Sequence, residues 1–359
     1  MPEIIAEAGS NHNGSVARAC ELVDLAARAG ATSVKFQFIH ADGLYVPAYF
    51  DGETYVENSV YHSRKAEELS PNDWRQIWTR AAEAGITISA SVFDTEGLNL
   101  LSELGAPYVK IASTDATNHD LIGAACDTFE RVIVSTGMAT LGEIDAMVGF
   151  VRGNFPGTDL NLMHCVSSYP CPLDSANVQR VRLLRDCFDV SVGYSDHTEG
   201  GVAAAMALVE GASFVEKHFT TDRSLPGFDH AHAMEEEALA GYVTTLEDCV
   251  RSLQQPANRS APAEMTTRIR ARRGVYAARD LPAGHFLTRD DLLHVRPSTD
   301  FEGPDLSAFL GARIEVPLRR YEAVGLRATP QGTTGNWQAA RAYWNDEMTE
   351  KGMKIGDDS

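Results

Sequence analysis

The sequence predicts an α/β protein: a (β/α)8 barrel followed by a small β-rich domain. Three observations lead there. The chain has 359 residues, 44% hydrophobic and 23% charged, an ordinary globular composition, and a barrel of eight strand–helix units takes about 250 residues. Short β-rich runs alternate with amphipathic helical stretches over the first two-thirds, the pattern of parallel strands joined by right-handed crossovers. From residue 254 the character changes, first to the linker-like QQPANRSAPAEMTTR and then to a compact unit of different composition.

Strands are expected at 3–9, 33–38, 87–93, 108–113, 131–137, 160–167, 189–195 and 213–219. Helical periodicity is seen at 16–29, ending at Gly30, and at 96–104, 141–151, 201–211 and 235–253. Eight such strands favour a closed barrel over the alternative, an open doubly wound sheet. The connection 39–70 is long and carries Tyr45, Tyr49, Phe50, Tyr55 and Tyr61. It follows the second strand, on the face where barrel enzymes do chemistry, and reads either as a functional loop or as a surface insertion. The domains are then a barrel at 1–253, a linker at 254–268, a unit at 269–328 too small to bury much core alone, and a tail at 329–359 with no assigned function. The small unit has a turn at Pro282-Ala283-Gly284 and a helix start at Thr288.

Composition narrows the function classes. A formal net charge of −19 argues against nucleic acid and anionic membrane as partners, and anionic substrates would need lysines and arginines placed locally. No stretch approaches the ~20 apolar residues of a membrane span. The opening MPEIIAEAGS lacks the basic and apolar regions of a signal peptide. The six cysteines, at 20, 126, 165, 171, 187 and 249, form no CxxC pair, so neither a structural zinc nor a disulfide framework is expected. A cytoplasmic, reducing setting follows.

The polar residues of the strands collect at their carboxyl ends: Glu7; Lys35 and Gln37; Ser91; Lys110 and Ser113; Ser135 and Thr136; His164, Ser167 and Tyr169; Ser195, Asp196 and His197; Glu216, Lys217 and His218. One strand-end lysine is usually a cap or an ion pair, but eight strands acting together mark the face where barrel sites are built. Lys35 and Lys110 with Ser91, Ser113 and Ser135 form an arc of ammonium and hydroxyl donors suited to a phosphate or carboxylate. The alternative is two buried lysines paired with Glu7 and Asp115. His197 and His218, ending neighbouring strands, can share a divalent ion. With few anionic ligands beside them, an open shell completed by water fits manganese or magnesium better than a closed zinc site. His230 and His232 are rival ligands, and Asp229 and Glu216 are close by in sequence. Asn11, His12 and Asn13 form a polar turn after the first strand.

From residue 3 to about 328 the chain resembles the N-acetylneuraminate (sialic acid) synthase family. The segments IIAEAGSNHNG, ATSVKFQF, YVKIAS, VIVSTGMAT, LMHCVSSYP, VGYSDHTEGG, FVEKHF and LPGFDHAHAM carry the resemblance. The terminal RRGVYAARDLPAGHFLTRDDLLHVRP is similar to the antifreeze-like (SAF) domain that follows the barrel in that family. The resemblance implies condensation of phosphoenolpyruvate with an open-chain hexosamine, releasing phosphate and giving a nonulosonic 2-keto acid. It implies that Lys35, Ser91, Lys110, Ser113 and Ser135 hold phosphoenolpyruvate and that Glu7 acts near the reacting carbons. His197 and His218 would hold manganese, with magnesium or cobalt as alternatives. Gln37, Tyr169, Ser195, Glu216 and Asp229 would line the sugar side. Arg296 would reach the partner subunit's barrel in a domain-swapped homodimer.

The chain departs from the family at several points. RPSTDFEGPD stands where an RPGxGI-like stretch is common, Ser91 where threonine is usual, Ser167 where asparagine is usual, and PGFD for PGPD. The segment 39–70 also differs. The acceptor is therefore open between N-acetylmannosamine and the precursors of legionaminic, pseudaminic or other 3-deoxy-2-keto acids. Two further classes compete: a barrel aldolase or lyase using Lys110 as a Schiff base, and a binding protein that kept the fold.

Overall fold

The computed structural model describes residues 2–254, 260–299 and 306–324. The chain divides into two units, Met1–Gln254 and Gln255–Ser359. In the first, β1 (Glu3–Gly9), β2 (Ser33–Phe38), β5 (Thr87–Val92), β6 (Val109–Ile111), β7 (Arg131–Ser135), β8 (Asp159–His164), β9 (Ser191–Asp196) and β10 (Phe214–His218) close into one barrel. Between β2 and β5 lies a separate hairpin, β3 (Ala48–Phe50) with β4 (Tyr55–Glu57). Every barrel pair is parallel, and β10 closes onto β1 from Glu3↔Phe214 to Glu7↔His218.

Alternation along each strand sends every second side chain inward. The lower interior is apolar, filled by Ile5, Tyr108, Ile133, Met163 and Phe214. Gly193 is required there, because a Cβ would lie 2.2 Å from the Phe214 ring. The outward faces pack under the helices in one large core that includes Leu22, Phe36, Ile77, Leu101, Val148, Leu184 and Leu246.

The expected helices form at Val16–Arg28, Thr95–Glu103, Leu141–Asn154, Val202–Val209 and Glu236–Leu253, with Gly30 at φ +84 after the first. Three more appear at Pro71–Ala84, His119–Thr128 and Arg180–Phe188. The first of these carries a capping box between Ser70 and Asp73 and stops at Gly85, φ 68, the standard start and stop chemistry of a helix.

The segment 39–70 is not a structureless loop. It forms a helical turn (Ala41–Leu44), the hairpin, and a helix at Ser59–Ala66. Asn58 organises it: the side chain accepts from the Val60 and Tyr61 N–H groups and donates to the Val46 carbonyl. Tyr49, Phe50 and Tyr55 face solvent.

In the second unit β11 (Gly274–Ala277) pairs antiparallel with β12 (Leu292–Val295). Val275, Leu281, Leu287, Leu292, Phe309, Ile314 and Leu318 form its core. Gly284 sits at φ +82 in the expected turn, and Thr288 forms a capping box with the buried Asp291. The tail at 329–359 and residues 300–305 of the RPSTDFEGPD stretch lie outside the described residues. Among the described residues no helix is long and apolar enough to cross a membrane, and all six cysteines are free.

Candidate active site

Above the apolar floor the barrel interior turns ionic. Glu7 and Lys35 are cross-strand partners, and their charged groups meet at 2.6 Å with 1% of either side chain exposed. Lys35 donates to Ser91 Oγ at 2.7 Å and lies 3.6 Å from Glu216 Oε2. Lys110 contacts both Glu216 oxygens, at 3.3 and 3.0 Å, and the Met163 sulfur at 3.1 Å. Ser195 Oγ donates to Glu216 at 2.9 Å, and the Gln37 amide donates to Glu7 at 2.9 Å. Two ammonium and two carboxylate groups thus share one layer supplied by four strands.

Their protonation follows from burial and pairing. Burial raises Glu7 to about 7, against the pull of Lys35, with Glu216 adding to the rise. Burial also acts to raise Glu216, but Lys110 and Lys35 outweigh it and hold that carboxyl far below the usual range. Burial opposes the Lys35 ammonium, yet Glu216 and Glu7 raise it overall. For Lys110 burial prevails and its pKa falls despite Glu216. Two chemically identical carboxyls are driven apart, one poised near neutrality and one fixed as an anion, an arrangement typical of sites that move protons.

One layer nearer the carboxyl ends stand the histidines. The His197 and His218 ring centroids are 5.6 Å apart, and His218 and His232 are 5.2 Å apart. The Tyr169 ring packs against all three, at 4.2, 5.8 and 5.1 Å. His218, Asp229 and His232 bring ligand atoms within 4.8 Å of one another. Asp229 reaches this point across Gly9, where a Cβ would come within 2.8 Å of its Oδ2.

The donor set fits a divalent ion. His218 Nδ1 and His232 Nε2 are buried without a hydrogen-bond partner, which is costly unless something uses them. His197 Nδ1 donates to the Val166 carbonyl at 2.7 Å, so Nε2 carries the free lone pair. Its neighbour there, Ser195 Oγ at 3.2 Å, has one proton and two acceptors, His197 and Glu216. Burial pushes His197 down to about 3 and His218 to about 4, so both imidazoles are neutral and able to ligate.

The hydroxyl arc has its own geometry. Ser113 Oγ accepts from the Gly137 N–H at 3.0 Å and touches Cys165 Sγ at 3.1 Å. A Cβ on Gly137 would meet Ser167 Oγ at 2.5 Å, Cys165 Sγ at 2.8 Å and Ser113 Oγ at 2.8 Å. Glycine is what lets two hydroxyls, a thiol and a backbone N–H converge. Ser135 is buried at the end of β7. Gly137 was not singled out from the sequence; its signal was a glycine two residues past the end of a barrel strand in VSTGMAT.

Other candidates fall elsewhere. His230 is satisfied on both nitrogens, by Thr220 at 2.6 Å and Asn13 at 3.1 Å, whereas His232 joins the cluster. Asp196 and Lys217 pair with each other at 3.1 Å, and Lys217 also donates to the Thr198 carbonyl. Tyr242 of the Glu236–Leu253 helix donates to Asp196, so this pair faces the outer helices. Asp115 meets Thr114 and Asn118 rather than a lysine. His164 donates from Nε2 to the Ala176 carbonyl at 3.0 Å. Asn11 bonds the Phe219 carbonyl and His12 the Gly14 N–H, both tying the β1 turn in place. Glu216, expected on the sugar side, sits against the lysines. Arg296 is exposed in the second unit, just after β12.

Comparison with known proteins identifies the family. Residues 22–257 match the NeuB family and residues 272–324 the SAF domain. The chain is 35% identical to the N,N'-diacetyllegionaminic acid synthase of Legionella pneumophila over 324 residues, 88% of this chain and 91% of that one. It is 31% identical to the N-acetylneuraminate-9-phosphate synthase of Drosophila melanogaster, covering 80% of this chain and 85% of that one. The crystal structure of N-acetylneuraminic acid synthetase from Leptospira borgpetersenii superposes with a TM-score of 0.67 at 33% identity, covering 74% of this chain and 90% of that one. With its ionic barrel layer, its histidine cluster and its SAF unit, the chain belongs to the NeuB family and is an enzyme of the synthase type.

Proposed function

We propose that the enzyme condenses phosphoenolpyruvate with an open-chain N-acyl hexosamine to give a nonulosonic 2-keto acid and inorganic phosphate. The observation that carries this reading is a layer of two buried lysines, Lys35 and Lys110, joined to the histidine cluster through Glu216 and Ser195, whose Oγ lies 3.2 Å from His197 Nε2. An anionic substrate and a carbonyl substrate can then meet along the barrel axis. The alternative acceptors, precursors of legionaminic or pseudaminic acid, fit the same geometry.

In this reading C3 of phosphoenolpyruvate forms a bond to the aldehyde carbon of the sugar. The aldehyde oxygen gains a proton, water adds at C2, and phosphate leaves by cleavage of the C2–O bond. Lys35 and Lys110 hold the anionic groups, with hydroxyls from Ser91, Ser113 and Ser135 and the Gly137 N–H completing the cradle. Glu7, poised near neutrality, exchanges a proton at the reacting carbons or the incoming water, and Gln37 fixes its orientation. Tyr169, Ser195 and Asp229 line the acceptor side, and Glu216, held as an anion between the two lysines, fixes their ammonium groups. His197 and His218, with Asp229 and His232 in reach, would hold a divalent ion, manganese before magnesium or cobalt, which supplies Lewis-acid polarisation of the aldehyde. A second copy of the chain brings the exposed Arg296 to its partner's barrel mouth in a domain-swapped homodimer. The free cysteines suit a reducing cytoplasm.

Phosphoenolpyruvate carrying 18O at the bridging oxygen tests the bond assignment. Label recovered in the released phosphate supports C–O cleavage. Label retained by the organic product means P–O cleavage and a different reaction.

A further inference from the structure

We propose that Lys217 is a positioning residue for the metal centre: from outside the barrel wall it fixes the turn that carries His197, and so sets where His197 stands beside His218. This rests on the reading that the two histidines hold a divalent ion.

The barrel holds the two histidines unequally. His218 is the last residue of β10, paired with Glu7 of β1, and its carbonyl accepts from the Met234 N–H at 2.9 Å. His197 lies one residue beyond β9, whose last rung with β10 is Lys217↔Asp196. On the β8 side it is tied down: Nδ1 donates to the Val166 carbonyl at 2.7 Å, and its own carbonyl accepts from the Cys171 N–H at 2.8 Å. On the β10 side the strand ladder has already ended. Alternation turns Ser195, Glu216 and His218 inward and Asp196 and Lys217 outward.

The outward pair supplies the hold on that side. Lys217 and Asp196 meet at 3.1 Å, with 3% and 0% of their side chains exposed. Asp196 Oδ1 accepts from the Thr198 N–H at 2.9 Å and from its hydroxyl at 2.7 Å, closing the chain into a turn around His197. Lys217 Nζ donates to the carbonyl of Thr198 and, at 3.3 Å, to that of Gly200. The three protons of an ammonium are thereby used, one on Asp196 and two on the backbone of this turn. An ion pair serving burial alone needs only the first. Lys217 is also the residue directly before His218, so one side chain ties the His197 turn to the strand that carries His218. Tyr242 closes the pair from the helix side, but its one proton goes to Asp196 Oδ2 and none to the turn. Outer contacts of this kind tune metal sites, and losing one typically costs about 10- to 100-fold in affinity.

The test is manganese affinity by titration calorimetry on the full chain without substrates, for the wild type, Lys217→Met, Tyr242→Phe and the double variant Asp196→Asn with Lys217→Met. The double variant removes both buried charges and keeps an acceptor for Thr198, so it reads the tether even where an unpaired Asp196 prevents folding. Both variants without Lys217 should bind manganese about 10- to 100-fold more weakly. With cobalt in place of manganese, their visible absorption bands should shift in position and intensity, because those bands report ligand geometry. Phosphoenolpyruvate affinity of the metal-free protein should stay within about two-fold, since the Lys35–Lys110 layer is untouched. Tyr242→Phe should lose stability in urea and keep its manganese affinity. A folded variant lacking Lys217 with wild-type manganese affinity and cobalt spectrum, and a loss confined to urea stability, makes the pair structural and overturns the proposal. Equal losses for manganese and phosphoenolpyruvate, or a Tyr242→Phe defect as large as that of Lys217→Met, overturn it as well. If the wild type binds no manganese, the metal reading falls and the proposal with it. Wild-type binding that Lys217 does not affect removes the proposal alone.

Discussion

Glu7 and Lys35 face each other across β1 and β2 at 2.6 Å, and the carboxyl is nevertheless pushed up to about 7. Burial therefore outweighs the ion pair, and the fold gains little from keeping Glu7 charged. A pair retained under those conditions points to chemistry more than to stability. Because the folded pKa lies above the ordinary 4.5, the stability tied to this proton is fully present below about pH 4.5 and lost as pH rises through about 7. Glu7→Gln should thus be at least as stable as the wild type in urea unfolding at pH 8, while kcat falls by about 10²–10⁴-fold. The wild-type rise in kcat/KM through about pH 7 should vanish in the variant. A stability loss of about 3 kcal/mol or more at pH 8 would mean the pair is structural.

Lys110→Met removes one donor of the anion cradle and leaves Glu216 with Lys35 at 3.6 Å and Ser195 at 2.9 Å. KM for phosphoenolpyruvate should rise by about 10- to 100-fold with little change for the sugar. Borohydride with pyruvate should trap no adduct on the wild-type enzyme. A stable adduct on Lys110 would instead favour the aldolase class.

Metal binding separates the histidines. Titration calorimetry with manganese should show no binding for His218→Ala and at least about 10-fold weaker binding for His197→Ala and His232→Ala. Full affinity in His218→Ala would remove it from the site. Since His197 and His218 are depressed to about 3 and 4, protons do not compete near neutrality. Affinity should stay flat down to about pH 5 and fall only below it.

Asp291 holds the SAF unit together. Fully buried, it accepts from Arg279 at 2.9 Å, from His285 at 2.8 Å and from the Thr288 N–H and hydroxyl. Burial acts to raise it, but these donors together hold it well below the usual carboxylate range. Its contribution is present above about pH 3.8 and is lost as pH falls through the lower folded pKa. Asp291→Asn should cost the unit about 3 kcal/mol. Faster hydrogen exchange at residues 274–295 in the full chain, with the barrel unchanged, is the expected result.

Much of this was legible in the sequence because a parallel barrel writes its function at the ends of its strands. Glu7, Lys35, Lys110 and Glu216 could be picked out one by one. Which carboxylate meets which lysine could not: Glu216 and Lys110 are far apart in sequence and meet only through barrel closure. The same limit hid the difference between His230 and His232, two residues apart, since Thr220 and Asn13 occupy the nitrogens of the former. The helix Ser59–Ala66 was obscured by the glycines, prolines and aromatics around it. The helix Pro71–Ala84 was missed although Ser70, Pro71, Asp73 and Gly85 spelled out both of its ends.

The most direct test of the account is phosphate release by the purified protein. Phosphoenolpyruvate, manganese and a panel of N-acyl and diacetamido hexoses are supplied, and product mass is read in parallel. Release with at least one sugar is expected, matched by a product of mass sugar plus pyruvate and abolished by chelation. Measured phosphoenolpyruvate binding with no release from any sugar would contradict it.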